Sequence, residues 1–279
     1  MEAIQDIIRR ALAEDTGNGD HTSLACIPPD TTGIAQLIVK ESCVLSGIEI
    51  ARRVFEQVDE RVKFHGKLTD GQKTEPGNIA FEVQGSVQSI LKSERLALNI
   101  LQRMSGISTR TARYVTLVEG TKARILDTRK TTPNMRVLEK IAVIAGGGYN
   151  HRMGLYDMIM IKDNHIDFAG GIQKAIESTH AYLDSAGLDL KIEIEVRNLQ
   201  ELQQVLDTGR VNRIMLDNFP LEILQRAIHL ISGKYETEAS GGITEETIRH
   251  VALTGVDFIS VGALTHHVRS IDMSLKAIE

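Results

Sequence analysis

The chain has no tryptophan, and aromatic residues fill only 4% of its 279 positions. Few side chains are therefore available for bases to stack on, which excludes a platform for single-stranded nucleic acid. Positive charge is not in excess either. The formal net charge is -5, the wrong sign for a nucleic-acid partner. Cys26 and Cys43 are the only cysteines and have no CxxC spacing, so neither a disulfide framework nor a thiolate zinc site is expected. That usage fits a reducing, cytoplasmic setting. His165, His266 and His267 lack the HxxxH spacing of a histidine zinc site. No apolar run is long enough to cross a membrane, so no membrane partner is expected. The opening MEAIQDIIRRALAEDTG lacks the order of a signal peptide. Ile4, Ile7, Ile8, Ala11 and Leu12 share one face, as in an ordinary amphipathic helix.

What is present is ordinary in bulk and patterned in detail. Hydrophobic residues make up 42% and charged residues 25%, enough for one large globular domain or two. From about Ala123 onward, short apolar runs end in polar residues and are followed by amphipathic stretches. The runs are ARILDTRK, MIMIKDN, IEIEV, RIMLDN, ETEASGG and FISVGA. Strands alternating with helices predict a parallel sheet, and the repeat of roughly 22 residues among the last strand ends is that of a β/α barrel. Thr244, followed by Glu245 and Glu246, has the composition of a helix N-cap. Gly187, Gly209, Gly233 and Gly255 stand where helices would end in left-handed residues.

The first ~110 residues lack this repeat. IAQLIVKESCVLSG is expected to form a strand pair and IEIARRVFEQV a helix, with short strands in VKFHG and IAFEVQG. The turn-forming TDGQKTEPGN separates two of these. SERLALNILQRMSGISTRTARYVTLVEG is expected to be a long helix, with Gly106 marking a break or a close contact. The fold class is therefore α/β. An α/β sandwich domain is expected over 1–106 and an incomplete α/β barrel of six or seven strands over 107–266, with 267–279 packing back on the first domain.

Barrel chemistry collects at the C-terminal ends of the strands. Those ends carry Asp127, Arg129 and Lys130, then Lys162 and Asp163, Glu195, Asp217 and Asn218. Ser240, Gly241 and Gly242 follow, with Gly262 and Ala263 last, and His151 and Arg152 stand just before Lys162. Arginine offers a planar fork to carboxylate or phosphate, and lysine a mobile point charge. Several of both imply a substrate with more than one anionic group. Glycines on the last strand ends form a recurring phosphate cradle. Two carboxylates among so many cations could hold Mg²⁺ over a pyrophosphate, bind sugar hydroxyls, or stabilise a developing cation. Each residue alone has a plainer reading, such as a solvated ion pair, an exposed strand face or a structural histidine. The convergence of six strand ends favours a site.

EDTGNGDHTS, SERLALNILQRMSGIST, ILDTRKTTP, EKIAVIAGGGYNHRMGLYDMIMIKDNHI, IEIEV, IMLDNF, EASGGI and ISVGALTH occur in order from Glu14 to His266. With these motifs the chain resembles the quinolinate phosphoribosyltransferases, also called nicotinate-nucleotide pyrophosphorylases (carboxylating). The resemblance implies a reaction of de novo NAD synthesis. Quinolinate and phosphoribosyl pyrophosphate would give nicotinate mononucleotide, pyrophosphate and CO₂. It also implies an N-terminal α/β sandwich with an incomplete barrel, and Mg²⁺ held mainly through pyrophosphate. By the same resemblance Arg129, His151 and Arg152 match positions that bind the quinolinate carboxylates, and Arg95 an arginine reaching the site from a neighbouring subunit. Lys130 and Lys162 match lysines at the junction of the two substrates. Glu195 and Asp217 match carboxylates near the ribose hydroxyls and Mg²⁺. Ser240, Gly241, Gly242, Gly262, Ala263 and His266 match the 5′-phosphate region. Lys130, Lys162, Glu195 and Asp217 would be catalytic. An arginine in trans requires a homodimer, or a hexamer of dimers. Many relatives have glycine after DTRKTTP where this chain has Asn134, the next best residue at positive φ. The nearest alternative is a phosphoribosyltransferase of the same fold acting on nicotinate or another anion, as in a molybdenum-transport-associated branch. An aldolase using Lys162 as a Schiff base and a non-catalytic metabolite sensor are further alternatives.

Overall fold

The computed structural model describes residues 2–278. The chain forms two compact units: Met1–Ala112 with Thr131–Gly147 and Ala263–Glu279, and Arg113–Lys130 with Gly148–Gly262.

The first unit opens with α1 (Glu2–Thr16), whose Ile7, Ile8 and Leu12 are buried, and α2 (His21–Cys26). Then come β1 (Thr32–Val39), β2 (Cys43–Val44), α3 (Ile48–Val58), β3 (Lys63–Gly66), β4 (Lys73–Thr74) and β5 (Ile79–Ser86). The long α4 (Val87–Leu117) follows. β1 is central, antiparallel to β5 on one side and to the last strand of the chain, Met273–Ile278, on the other. Alternation along β1 buries Ala35, Leu37 and Val39. Phe55, Phe64 and Phe81 meet with ring centroids 4.5–6.1 Å apart.

One expectation changes here, and one pair of alternatives is decided. IAQLIVKESCVLSG gives two strands, but they do not pair with each other. Both edges of β1 are taken by longer partners, and β2 pairs with β4, a two-residue strand inside TDGQKTEPGN. Gly106 does not break α4. A Cβ there would lie 2.2 Å from Arg269 O and 2.9 Å from Val268 Cγ1, so the glycine lets that backbone approach the helix.

The second unit is built on six parallel strands, beginning with β6 (Arg124–Leu126). Between it and the next strand the chain forms α5 (Arg136–Ala145), part of the first unit. β7 (Ile159–Ile161), α6 (Asp163–Ala169), α7 (Ile172–Ala186), β8 (Ile192–Val196), α8 (Leu199–Thr208) and β9 (Arg213–Asp217) come next. α9 (Leu221–Ile231), β10 (Glu236–Ser240), α10 (Ile248–Leu253) and β11 (Phe258–Ser260) complete it. The chain ends in α11 (Ala263–His266) and β12 (Met273–Ile278), both in the first unit. The strand order is β6-β11-β10-β9-β8-β7, with β6 and β7 unpaired to each other, so the barrel is incomplete. All six runs picked out above are strands, and among the described residues no seventh is added beyond a single bridge between Leu126 and Tyr149.

Gly187, Gly209, Gly233 and Gly255 all have positive φ. Thr244 is not the N-cap of α10. That position falls to Thr247, whose hydroxyl accepts from Thr244 N at 3.0 Å, so the threonine pair closes a turn before the helix begins. Among the described residues no helix is long and apolar enough to cross a membrane.

Candidate active site

Parallel strands place all their C-terminal ends on one edge of the sheet. That edge carries Arg129 and Lys130 after β6, Lys162 after β7, Glu195 within β8, Asp217 closing β9, Ser240 closing β10 with Gly241 and Gly242 beyond, and Gly262 after β11. The second unit thus gathers these with His151 and Arg152. Arg95, on an exposed turn of α4, belongs to the first unit, as do Ala263 and the exposed His266 in α11.

The alternation of IEIEV is inverted relative to a solvated strand. Ile192, Ile194 and Val196 are buried on one face, yet Glu193 and Glu195 on the other are buried too. Arg213 and Met215 stand beside Glu193 and Glu195 on β9, and Glu236 and Glu238 beside Arg213 and Met215 on β10. The concave face of the barrel is therefore lined with charge, and its convex face is apolar.

Lys162 Nζ donates to Glu195 Oε2 at 2.5 Å at the rim, with 43% of the lysine side chain exposed and 11% of the glutamate. His165 Nδ1 accepts from Lys162 N at 2.9 Å and caps α6, which fixes the base of the lysine. Arg152 is half-buried and donates to Met158 O at 3.2 Å. Burial, and next the charge of neighbouring Arg129, hold its pKa below the ordinary arginine value. A guanidinium keeps its proton even so. Neither Arg129 nor Arg152 has an ion-pair partner among the described residues. Two adjacent guanidiniums without a carboxylate are suited to a multivalent anion.

Opposite them, Asp217 Oδ2 accepts from Asn218 Nδ2 at 2.7 Å. Asn218 N donates to Ser240 O at 2.8 Å and ties the β9 end to the β10 end. Gly241 has φ 89, and a Cβ there would lie 2.2 Å from Asn218 Oδ1. Gly242 has φ 61 and open space where a Cβ would be. Two successive left-handed glycines at a strand end leave bare backbone for an anion's oxygens.

His151 sits lower than these cations. Its N–H donates to Asp127 Oδ1 at 2.8 Å, and its Nδ1 accepts from Arg152 N at 2.7 Å. Only 5% of its side chain is exposed. Nε2 faces into the barrel, 3.1 Å from Glu193 Oε2 and 3.5 Å from Glu238 Oε2. Burial pushes Glu193 up to about 7, and burial followed by the charge of Glu193 pushes Glu238 up to about 8. Among the described residues this trio is the one group whose ligand atoms, all within 4.8 Å, could hold a metal. Arg213 already supplies a cation there, 3.1 Å from Glu238 and 3.9 Å from Glu193. Mg²⁺, which keeps several waters and octahedral oxygens, does not suit so buried a site. Glu193, Glu238 and Arg213 were missed by sequence reasoning. The available signal was an acid at alternate positions of IEIEV and ETEAS, with an arginine opening the strand between them.

Both halves of the chain match known family models. Residues 20–105 match the N-terminal domain and residues 107–276 the C-terminal domain of quinolinate phosphoribosyl transferase. The quinolinate phosphoribosyltransferase [decarboxylating] 2b of Nicotiana tabacum is 43% identical, over 98% of this chain and 82% of its own length. A probable nicotinate-nucleotide pyrophosphorylase [carboxylating] of Bacillus subtilis (strain 168) is 39% identical, over 98% and 92%. The crystal structure of NadC from Streptococcus pyogenes superposes with a TM-score of 0.93 at 40% identity, covering 99% of this chain and 97% of that one. With both domain models matched in order and these relatives aligned over 98% or more of this chain, the chain belongs to the quinolinate phosphoribosyltransferase family.

Proposed function

We propose that this protein is a decarboxylating quinolinate phosphoribosyltransferase of NAD biosynthesis, converting quinolinate and phosphoribosyl pyrophosphate to nicotinate mononucleotide, pyrophosphate and CO₂. The observation that carries the reading is the strand-end rim itself. Cations without carboxylate partners, Arg129 and Arg152, stand at one side, and the left-handed Gly241–Gly242 pair at the other. A dicarboxylate and a sugar phosphate are the two kinds of anion such a rim would take.

In this reading Arg129 and Arg152 bind the quinolinate carboxylates. Lys130 and Lys162 lie at the junction with the phosphoribosyl group. The ring nitrogen attacks the anomeric carbon as pyrophosphate leaves with its bonding electrons. Glu195 and Asp217 face the oxocarbenium-like ribose, and the lysines neutralise the leaving group. The quaternary ring nitrogen then draws the electron pair left by CO₂, and a proton completes the product. No protein nucleophile is needed; position and charge carry the rate. Ser240, Gly241, Gly242, Gly262, Ala263 and His266 are assigned to the 5′-phosphate. Mg²⁺ is assigned mainly to pyrophosphate oxygens. The bond from Lys162 to Glu195 supports this, since it leaves that carboxylate a cation of its own.

A homodimer, or a hexamer of dimers, with Arg95 acting in trans belongs to the same reading. Arg95 is exposed. Leu155, Tyr156 and Phe168, near the open β7 edge, are 69%, 72% and 92% exposed, an apolar surface suited to a second copy. A cytoplasmic setting fits the two free cysteines.

The test is turnover with Mg²⁺ and phosphoribosyl pyrophosphate, comparing quinolinate with nicotinate. Pyrophosphate, CO₂ and nicotinate mononucleotide should appear together, and only with quinolinate. Product from nicotinate without CO₂ would move the protein to a salvage reaction.

A further inference from the structure

The buried face beneath the rim holds more charge than the reaction above accounts for. Glu193 and Glu238 are fully buried, and Arg213 is the cation between them. Arg213 is also shared with Glu236, 3.1 Å away on the same strand as Glu238. Two buried carboxylates and one shared guanidinium leave excess negative charge, which a protein interior does not tolerate unpaired. One proton removes the excess. Both Glu193 oxygens and Glu238 Oε1 lack an aligned donor among the described residues. His151 Nε2 approaches the pair at 3.1 and 3.5 Å without hydrogen-bond alignment, so its contact with them is one of proximity and charge. A proton on either carboxyl would supply the missing donor between them.

His151 decides where that proton sits. An imidazole nitrogen that accepts a hydrogen bond carries no proton. Nδ1 accepts from Arg152 N, which places the ring proton at Nε2; a second proton would draw Glu238 down by its charge but would cost the Arg152 N–H its acceptor. The extra proton therefore belongs to the carboxyl pair and not to an imidazolium. The other charged groups near this pair are Asp127, which holds His151 N, and Arg152 and Lys162, which act on Glu193 from farther off. Each is consistent with one shared proton, because the two cations lie toward the rim.

We propose that Glu193 and Glu238 share one proton and act as positioning residues, holding His151 as the neutral Nε2-protonated tautomer and thereby fixing the backbone corner from which Arg152 presents its guanidinium. The chain of contacts runs from Glu193 and Glu238 to Nε2, from Nδ1 to Arg152 N, and from Arg152 Nη1 to Met158 O. If the imidazole gained a second proton, Arg152 N would lose its acceptor and the corner its brace. His151 then serves carboxylate binding through Arg152, not by its own donor, which is turned inward. This inference rests on Arg152 binding a substrate carboxylate.

The experiment is ¹⁵N spectroscopy of the full-length protein labelled at histidine, with steady-state kinetics on the same samples. His151 should show unprotonated Nδ1 and protonated Nε2 near neutral pH. Glu193→Gln and Glu238→Gln should each keep that signature, since an amide imitates a protonated carboxyl. Glu193→Ala with Glu238→Ala should lose it, raising KM for quinolinate at least about tenfold, the loss of roughly one good hydrogen bond. KM for phosphoribosyl pyrophosphate should stay within about twofold, a difference below half a kcal/mol. If the alanine variant does not fold, the glutamine variants and the wild-type tautomer still decide. A doubly protonated His151 in the wild type, unchanged signals in a folded alanine variant, or a stoichiometric metal ion at the trio would overturn the proposal. The tautomer is read without turnover. A correct tautomer in a protein inactive on quinolinate would retire the substrate reading and leave the proton-sharing pair standing.

Discussion

The four-stranded and the six-stranded sheet bury opposite kinds of residue. In the four-stranded sheet β1 and β5 turn Leu37, Val39, Phe81 and Val83 inward, and none of the charged residues of these two strands is buried. Glu82 is typical: bonded to Lys67, it is held below the ordinary glutamate pKa. In the barrel the same residue type meets the reverse fate. Glu193 and Glu238 lie beneath the rim, and burial raises both. A sheet covered on one face can leave its other face to water. A barrel sheet encloses its second face, and here that face is filled with charge. The sheet of the first unit thus has an apolar core, and that of the second keeps an expensive polar interior directly under the strand ends. Substitutions in the two should fail in different ways.

The largest expected effect is at the rim. Arg129→Ala should leave a substrate carboxylate unpaired and cost about 2–5 kcal/mol in kcat/KM for quinolinate. The melting temperature should barely change, because Arg129 is exposed. Unchanged kinetic constants would remove Arg129 from the site. Mixing Arg129→Ala with Arg95→Ala subunits extends the test. If Arg95 works in trans, mixed dimers regain one intact site, and activity should recover on mixing.

A pair of glycines comes next. Both Gly106 and Gly241 would clash with a Cβ at 2.2 Å, but with different kinds of neighbour. At Gly106 the obstacle is the Arg269 backbone, so Gly106→Ala should cost about 1–3 kcal/mol of stability through overpacking. Surviving enzyme should have normal KM values. At Gly241 the obstacle is the Asn218 side chain, and φ is 89. Gly241→Ala should distort the strand-end loop and raise KM for phosphoribosyl pyrophosphate more than it lowers the melting temperature. Equal behaviour of the two variants in both assays would erase the distinction between support and site.

The pH dependence of stability separates the units further. Burial raises both Glu193 and Glu238, so the folded barrel keeps their shared proton well above 4.5, where the unfolded chain releases it. Above 4.5 the folded state binds more protons, so this contribution is full below 4.5 and falls as pH rises from there through the folded pKa. The slope is at most about 1.4 kcal/mol per pH unit for each proton. Glu238→Gln removes one of these titrations. Thermal unfolding from pH 5 to 9 should show the variant gaining on the wild type as pH rises. A constant difference between them would mean that Glu238 is ionised in the folded state.

The same inversion explains what the sequence made legible. The barrel strands were visible because their apolar residues are buried on the convex face, and IEIEV and RIMLDN carry that period plainly. The strand ends, and with them the rim residues, followed from the architecture. The interior network did not, because alternation fixes a period without saying which face meets water. A charged barrel interior and a solvated strand face have the same pattern. β2 and β4 were hidden for another reason: strands of two residues have no period at all. Thr244 looked like a cap because capping residues are recognised by type, while the N-cap position falls to Thr247, whose hydroxyl turns back to Thr244 N.

Asn134 gives the smallest expected effect. Its φ is 63, in the turn that leads into α5. Left-handed geometry costs an ordinary residue about 1–2 kcal/mol, asparagine less, and glycine nothing from Cβ crowding. Replacing Asn134 by glycine therefore removes strain from the folded state, but it also gives the unfolded chain more freedom. The two terms oppose each other, and the net should stay within about 1 kcal/mol of zero. Asn134→Val has no such compensation, since a β-branched side chain is poorly tolerated at positive φ. Its melting temperature should fall below that of both the wild type and Asn134→Gly. If valine were tolerated as well as glycine, the turn would have to relax out of the left-handed region, and the entry into α5 would be less firmly set than the rest of the supporting unit.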